Sequence, residues 1–160
     1  MDLKIVYAII LSMLPISELR GGLPLAIVYA NEHNISIALI FSLIVLANIL
    51  VVVLLFYFLD NIHTVFLRIN FYKKFFEKHV SKLQTRLDKF EKKYTAMGFL
   101  ALTLLVALPL PIIGGAWTGV LIAWLLDLDR KKSMLAISLG VLIAGILVLV
   151  GTLGFLKIFS

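Results

Sequence analysis

Glu18 and Arg20 place a carboxylate and a guanidinium two positions apart in residues 3–30, a segment that is otherwise almost wholly apolar. Apolar segments of this kind belong in lipid, where ionisable side chains are expensive and face either a partner or an aqueous cavity. Two readings follow. The pair binds only itself and fixes a loop, or Glu18 binds a proton or cation while Arg20 holds an anionic group. Around them, Leu14-Pro15-Ile16-Ser17-Glu18-Leu19-Arg20-Gly21-Gly22-Leu23-Pro24 interrupts the run with two prolines and a glycine pair. Proline removes a backbone donor, and glycine permits close turns. Backbone amides exposed at the start of a half-helix add affinity for an anion.

A second interruption, Ala107-Leu108-Pro109-Leu110-Pro111-Ile112-Ile113-Gly114-Gly115-Ala116-Trp117-Thr118-Gly119, lies within residues 97–126 and holds no acid or base. Pro109 and Pro111 prevent a regular helix, while Gly114, Gly115 and Gly119 allow close backbone approach. Trp117 and Thr118 offer an indole N–H and a hydroxyl. This stretch is either structural punctuation with Trp117 as a filler, or one wall of a site opposite the first break. In lipid, non-helical backbone survives only when buried in protein or lining a cavity. A corresponding pair of interrupted segments in two halves of a chain points to a transporter's binding site. The expected substrate or ion site therefore takes Glu18, Arg20, Gly21, Gly22 and Pro24 from the first break. From the second it takes Pro109, Pro111, Gly114, Gly115, Trp117 and Thr118. Asn48, the one strongly polar side chain of the 35–59 run, either joins them or hydrogen-bonds a neighbouring helix.

Other chemistries find no support in the sequence. His33, His63 and His79 are far apart and lack metal-ligand spacing, so no metal site is expected. No P-loop, nucleophile elbow, zinc-protease helix or dinucleotide fingerprint occurs, and no enzymatic activity is expected. No cofactor is expected beyond a coupling proton or sodium ion. There is no cysteine, which excludes disulfides and thiolate chemistry.

The elements that must position these residues follow from composition. The chain is 62% hydrophobic and 15% charged, with a mean hydropathy of +1.08. A soluble domain of 160 residues cannot hide that much apolar surface, so the chain reads as an integral membrane protein in contact with the lipid bilayer. Leu3–Ile16 has a weak basic flank and no adjacent small-residue cleavage pattern, so no cleaved signal is expected. The net charge is +6, and residues 60–93 hold nine of the fifteen basic residues. That asymmetry fits a cytoplasmic segment near anionic lipid, with no nucleic-acid partner.

Four apolar segments stand out: 3–30 and 97–126, both broken, and 35–59 and 133–159, both continuous. A hydrocarbon core about 30 Å thick needs ~20 helical residues, which the continuous runs supply. Charge orders the rest. Residues 60–96 are basic and cytoplasmic; Arg130-Lys131-Lys132 stays on the same side only if 97–126 enters and leaves from that side. The expected fold is all-α, a single membrane domain over 1–160. It has a re-entrant hairpin at 3–30, a transmembrane helix at 35–59 and a cytoplasmic basic amphipathic helix at 60–96. A second re-entrant hairpin at 97–126 and a transmembrane helix at 133–159 complete it. The two halves form an inverted repeat. Residues 127–132 are cytoplasmic, and the protein is multi-pass in the cell membrane. Phe56, Tyr57 and Phe58, with aromatics beyond them, read as a belt at the inner interface. Ala136, Gly140 and Ala144 form a stripe of small residues for close packing, within the chain or across a homodimer.

The two breaks also carry a family resemblance. The first resembles the E-x-R-G-x-x-P element of the small multi-drug export protein family of archaea and bacteria, in Glu18, Arg20, Gly21 and Pro24. The second resembles its P-x-P-G-T-G-A-W-T-G element, in Pro109, Pro111 and Gly115-Ala116-Trp117-Thr118-Gly119, with Ile112-Ile113 in place of the small Gly-Thr. The resemblance covers nearly the whole chain and implies export of small molecules. In layout the chain is also similar to the DedA/VTT superfamily, which carries two opposed re-entrant hairpins and includes lipid-phosphate flippases.

Three functions are therefore weighed. The first is an ion-coupled multi-pass transporter of a small or amphipathic molecule with its site between two hairpins. The second is a DedA-like flippase of a lipid phosphate such as polyprenyl phosphate, and the third a non-transporting membrane scaffold. With two full spans per chain, a parallel homodimer is expected; the basic 60–93 segment argues against a dual-topology dimer. The charge argument has a direct test. A Lys131→Cys protein, its thiol unique, should react with an impermeant maleimide in inverted vesicles and not in intact cells. Labelling from outside would mean that 97–126 crosses the membrane.

Overall fold

The computed structural model describes residues 3–61, 70, 74, 91–108 and 114–159. Much of the expected amphipathic helix at 60–96, and Pro109 to Ile113, lie outside the described residues. Among them the chain forms six helices: α1 (Leu3–Met13), α2 (Glu18–Glu32), α3 (Ile37–Asn61), α4 (Glu91–Ala107), α5 (Ala116–Leu125) and α6 (Arg130–Phe159). α4 runs unbroken across residues 96 and 97.

α3, with 25 residues, and the 29 residues Arg130–Ile158 of α6 are long and apolar enough to cross a membrane, with mean hydropathies of 3.1 and 2.7. Only 39% and 33% of their most apolar windows are buried. A core helix of a soluble protein would be mostly covered, whereas here Leu39, Leu46, Leu50, Leu135, Leu147 and Val150 point outward and exposed. An apolar surface that broad is stable against lipid and not against water. The described residues are all-helical, and the chain is a membrane protein.

The linkers that lead into the two long helices are built alike. α2 ends with Asn34 in the left-handed region (φ 54°), and the Ile35 N–H donates back to the Ala30 carbonyl at 2.9 Å. α5 ends with Asp127 in the same region (φ 49°), and the Leu128 N–H donates to the Ala123 carbonyl at 3.0 Å. Both are left-handed helix ends that return a donor to the last turn. In each case an apolar residue follows and then a cap for the next helix. Ser36 Oγ accepts from the Leu39 N–H at 3.4 Å, and Asp129 Oδ1 accepts from the Lys132 N–H at 2.9 Å. That last bond holds the Asp129 carboxyl below the usual carboxylate range. The offset that carries 34, 35 and 36 onto 127, 128 and 129 also carries Gly21-Gly22 onto Gly114-Gly115 and Asn48 onto Val141.

α1 and α2 run antiparallel. Lys4 Nζ lies 5.3 Å from the centre of the Tyr29 ring, and Gly22 lies against Ala8 and Ser12. α3 and α6 are antiparallel as well. Asp60 near the end of α3 pairs with Arg130 at the start of α6 at 2.9 Å, and Phe41 and Val45 lie against Gly145. Trp124 of α5 donates to the same Asp60 at 3.0 Å, so α5 returns to the end where α3 finishes.

Two packing readings are resolved. Phe56 is not part of an interfacial belt: it is buried in the core, with the Arg130 guanidinium 5.5 Å from its ring centre. The Ala136, Gly140, Ala144 stripe packs within the chain. Gly140 lies against Val106 and the Thr103 carbonyl, and Thr103 Oγ1 donates to the Ala136 carbonyl at 3.1 Å. A Cβ at Gly140 would stand 2.6 Å from Val106 Cβ and 2.8 Å from the Thr103 carbonyl oxygen. Gly140→Ala should therefore lower stability by about 1–3 kcal/mol. Gly151→Ala, with nothing near its would-be Cβ, should leave it unchanged or slightly higher; thermal unfolding in detergent measures both.

Candidate functional site

A break in a membrane helix leaves carbonyls without partners at the end of the first piece and amides without partners at the start of the second. In this chain each break is capped by the other. At the second break, α4 stops at Ala107 and α5 starts at Ala116. Arg20 Nη2 donates to the Leu108 carbonyl at 2.7 Å, at the negative end of α4. The Glu18 carboxylate faces the Ala116 and Trp117 amides at the positive end of α5, with Oε1 accepting from the Trp117 N–H at 3.3 Å. At the first break, Trp117 Nε1 donates to the Met13 carbonyl, the last of α1, at 3.1 Å. Ser17 Oγ donates to the Leu11 carbonyl beside it. Opposite charges at opposite helix ends are the favourable arrangement, worth about 0.3–2 kcal/mol each in partly buried settings.

Local backbone makes this possible. Glu18 itself sits in the left-handed region (φ 45°), which turns the chain from α1 into α2 and aims the carboxylate across at α5. The opposing residue must then be glycine. Gly115 has φ 109°, and a Cβ there would fall inside the Glu18 carboxylate. Glu18 is buried, with 8% of its surface exposed.

Two spaces adjoin the pair. A polar cavity of about 270 Å³ is lined by Pro15, Ile16, Ser17, Glu18, Arg20, Gly21, Gly114 and Thr118, residues of both breaks. On its other side a void of about 10 Å³ lies among Glu18, Leu19, Arg20, Asn48, Val106, Gly115, Ala116, Val141 and Ala144. Asn48 stands near the middle of α3, so the smaller space lies level with the midpoint of that helix. A larger groove of about 690 Å³ between α1 and α2 is lined by apolar residues with Lys4 and Glu32 at one end.

Of the residues expected at the site, the structure brings together Glu18, Arg20, Gly21, Gly114, Gly115, Trp117, Thr118 and Asn48. Gly22 lies in the α1–α2 contact, and Pro24 lines the apolar groove. Pro109 and Pro111 lie outside the described residues. Among the described residues no cluster of three metal-binding side chains occurs. Sequence reasoning paired Glu18 with Arg20 or with a ligand and missed their shared service to the second break. It also missed Met13 and Ser17. The available signal was that the second break holds uncapped helix ends and no charge of its own.

The family model described as "Putative small multi-drug export protein" matches residues 18–147, which takes in the first break from Glu18 onward, the whole second break, α3, and α6 up to that residue. No curated protein and no solved structure matches the chain, and no likeness to DedA proteins is found.

The tightness of the Glu18–Gly115 contact can be measured. Gly115→Ala should cost about 1–3 kcal/mol from backbone strain and collision. Combined with Glu18→Ala, the cost of the glycine change should fall by about 0.5–3 kcal/mol, the coupling expected for residues in contact. Thermal unfolding of the four proteins of this cycle gives the number.

Proposed function

The chain belongs to the small multi-drug export protein family, and on that premise we propose that it is a membrane transporter that exports a small or amphipathic molecule, coupled to a proton or sodium ion at Glu18. The observation that carries the reading is the polar cavity of about 270 Å³ walled by both breaks and edged by Glu18 and Arg20. A polar space between helix ends is what a membrane protein builds where a solute must leave water.

The layout supports the same reading. Asp60 and Arg130 meet at one end of the antiparallel α3 and α6, with Trp124 beside them. α4 and α5 together then begin and end on that side, as a re-entrant hairpin does. α1 and α2 are antiparallel and begin and end at the other side. The matching linkers and glycine pairs at one constant offset favour an inverted repeat of hairpin plus span. Residues 60–96 and 127–132 then lie in the cytoplasm, as the basic residues require.

Coupling follows from the capping. With Glu18 charged, its carboxylate holds the α5 amides and the hairpin tips stay joined. A proton or cation on Glu18 cancels the charge that faces those amides. The tips part, and the cavity opens toward the side from which the solute leaves. Arg20 keeps the α4 end closed and offers its remaining surface to the cavity.

The experiment is flux in liposomes. The purified protein, loaded with a panel of cationic and anionic fluorescent dyes, is driven by a pH or sodium gradient. Glu18→Gln should lower gradient-driven flux by about tenfold or more, a barrier change of at least ~1.4 kcal/mol, while the protein still inserts. Full gradient-driven flux by a well-inserted Glu18→Gln protein overturns the coupling role.

A further inference from the structure

Asn48 is the most deeply buried amide in the described structure, with 3% of its surface exposed, and it sits in α3 beside Glu18. Among the described residues its side chain makes one hydrogen bond, from Nδ2 to the Ile44 carbonyl of its own helix at 3.0 Å. That bond occupies one donor and leaves the amide oxygen and the second N–H to the void. A buried amide with unused capacity is costly in an apolar surround. The void supplies what it needs. At about 10 Å³ it has room for one water molecule, and Glu18 lines it together with Asn48.

We propose that one water molecule bridges Asn48 and Glu18, and that this water-backed carboxyl takes a proton, not sodium, as its ion. The inference deepens the reading of Glu18 as a coupling site and rests on it. Two features of the void speak for a proton over a metal cation. Hard cations collect about six oxygens, whereas the void meets only two oxygen-bearing side chains, Glu18 and Asn48. Its volume admits a single small species.

Among the described residues lining the two spaces beside Glu18, Arg20 on its own helix is the one other charged group. α5 contributes backbone amides, α3 contributes Asn48, α4 contributes Val106, and α6 contributes Val141 and Ala144. Residues 109–113 are Pro, Leu and Ile and bring no charge. Protonation is a simple transfer. Hydronium arriving through the polar cavity gives its proton to a Glu18 oxygen, one O–H bond forms as one breaks, and water leaves by the same route. The bridging water stays in place, and Asn48 holds it. Asn48 is thus a positioning residue.

The test reads the carboxyl directly and needs no transport. pH-difference infrared spectra are recorded on the purified full-length protein in detergent, in sodium and in potassium buffers. A protonated-carboxyl band should appear in the unsubstituted protein and be absent from Glu18→Gln. Asn48→Leu, which fills the void and removes the amide, should shift that band to the frequency of a less hydrogen-bonded carboxyl and shift its midpoint. A water O–H band sensitive to heavy-oxygen water should be lost with it. Asn48→Ala serves the same purpose if the leucine protein does not fold. An unshifted carboxyl band in a folded Asn48 variant overturns the proposal. So does a band that sodium depletes at constant pH. Dye flux that fails while these spectra behave as expected counts against the transport reading and leaves the proton site standing.

Discussion

A helix that stops inside a membrane leaves polar backbone atoms where no water can reach them, and the whole architecture answers that demand. The chain has two helix breaks, between α1 and α2 and between α4 and α5, that meet each other. Each is finished by side chains of the other: Arg20 and Glu18 close the ends of α4 and α5, and Trp117 closes the end of α1. The bonds are few, but each satisfies a group whose isolation in hydrocarbon would cost several kcal/mol. These bonds join the α1–α2 pair to the α4–α5 pair, in a setting where apolar packing lacks the drive it has in water.

The same demand explains the residue types. A carboxylate suits helix amides and a guanidinium suits helix carbonyls, and the two sit two positions apart because the ends they serve are neighbours across the second break. Glycine at 115 is the complement of glutamate at 18: one side chain enters the space that the other residue leaves open. The two stretches related by the constant offset are not alike. Asn48 has Val141 as its counterpart, and only one half carries the charges. The polar site therefore belongs to both halves while its ionisable groups come from one.

Much of this is legible in sequence, and the reasons differ by residue. The long helices are visible because uninterrupted apolar runs of their length have few alternatives. The breaks are visible because proline and glycine at those spacings do not continue a helix. Glu18 and Arg20 stand out because charge is rare in such segments. Their partners do not stand out, because Leu108 and Met13 act through backbone carbonyls, which every residue has. Phe56 was misread for a related reason. Aromatics near a span end favour the interface, but here the Arg130 guanidinium covers the ring and draws it into the core. The left-handed caps at Asn34 and Asp127 were hidden by chemistry that many turns share; only the hydrogen bonds returning to Ala30 and Ala123 identify them.

Mutual capping also bears on how the chain is made. Residue 18 leaves the ribosome long before residue 117. During that interval Glu18, Arg20 and the carbonyl at the end of α1 lack the partners that the second break supplies. Lipid is a poor place to wait in that condition. The first half is best kept at the membrane surface or within the insertion machinery until the second break has been synthesised. Burial of the tips is then a late, joint event, and neither half is a finished membrane domain on its own.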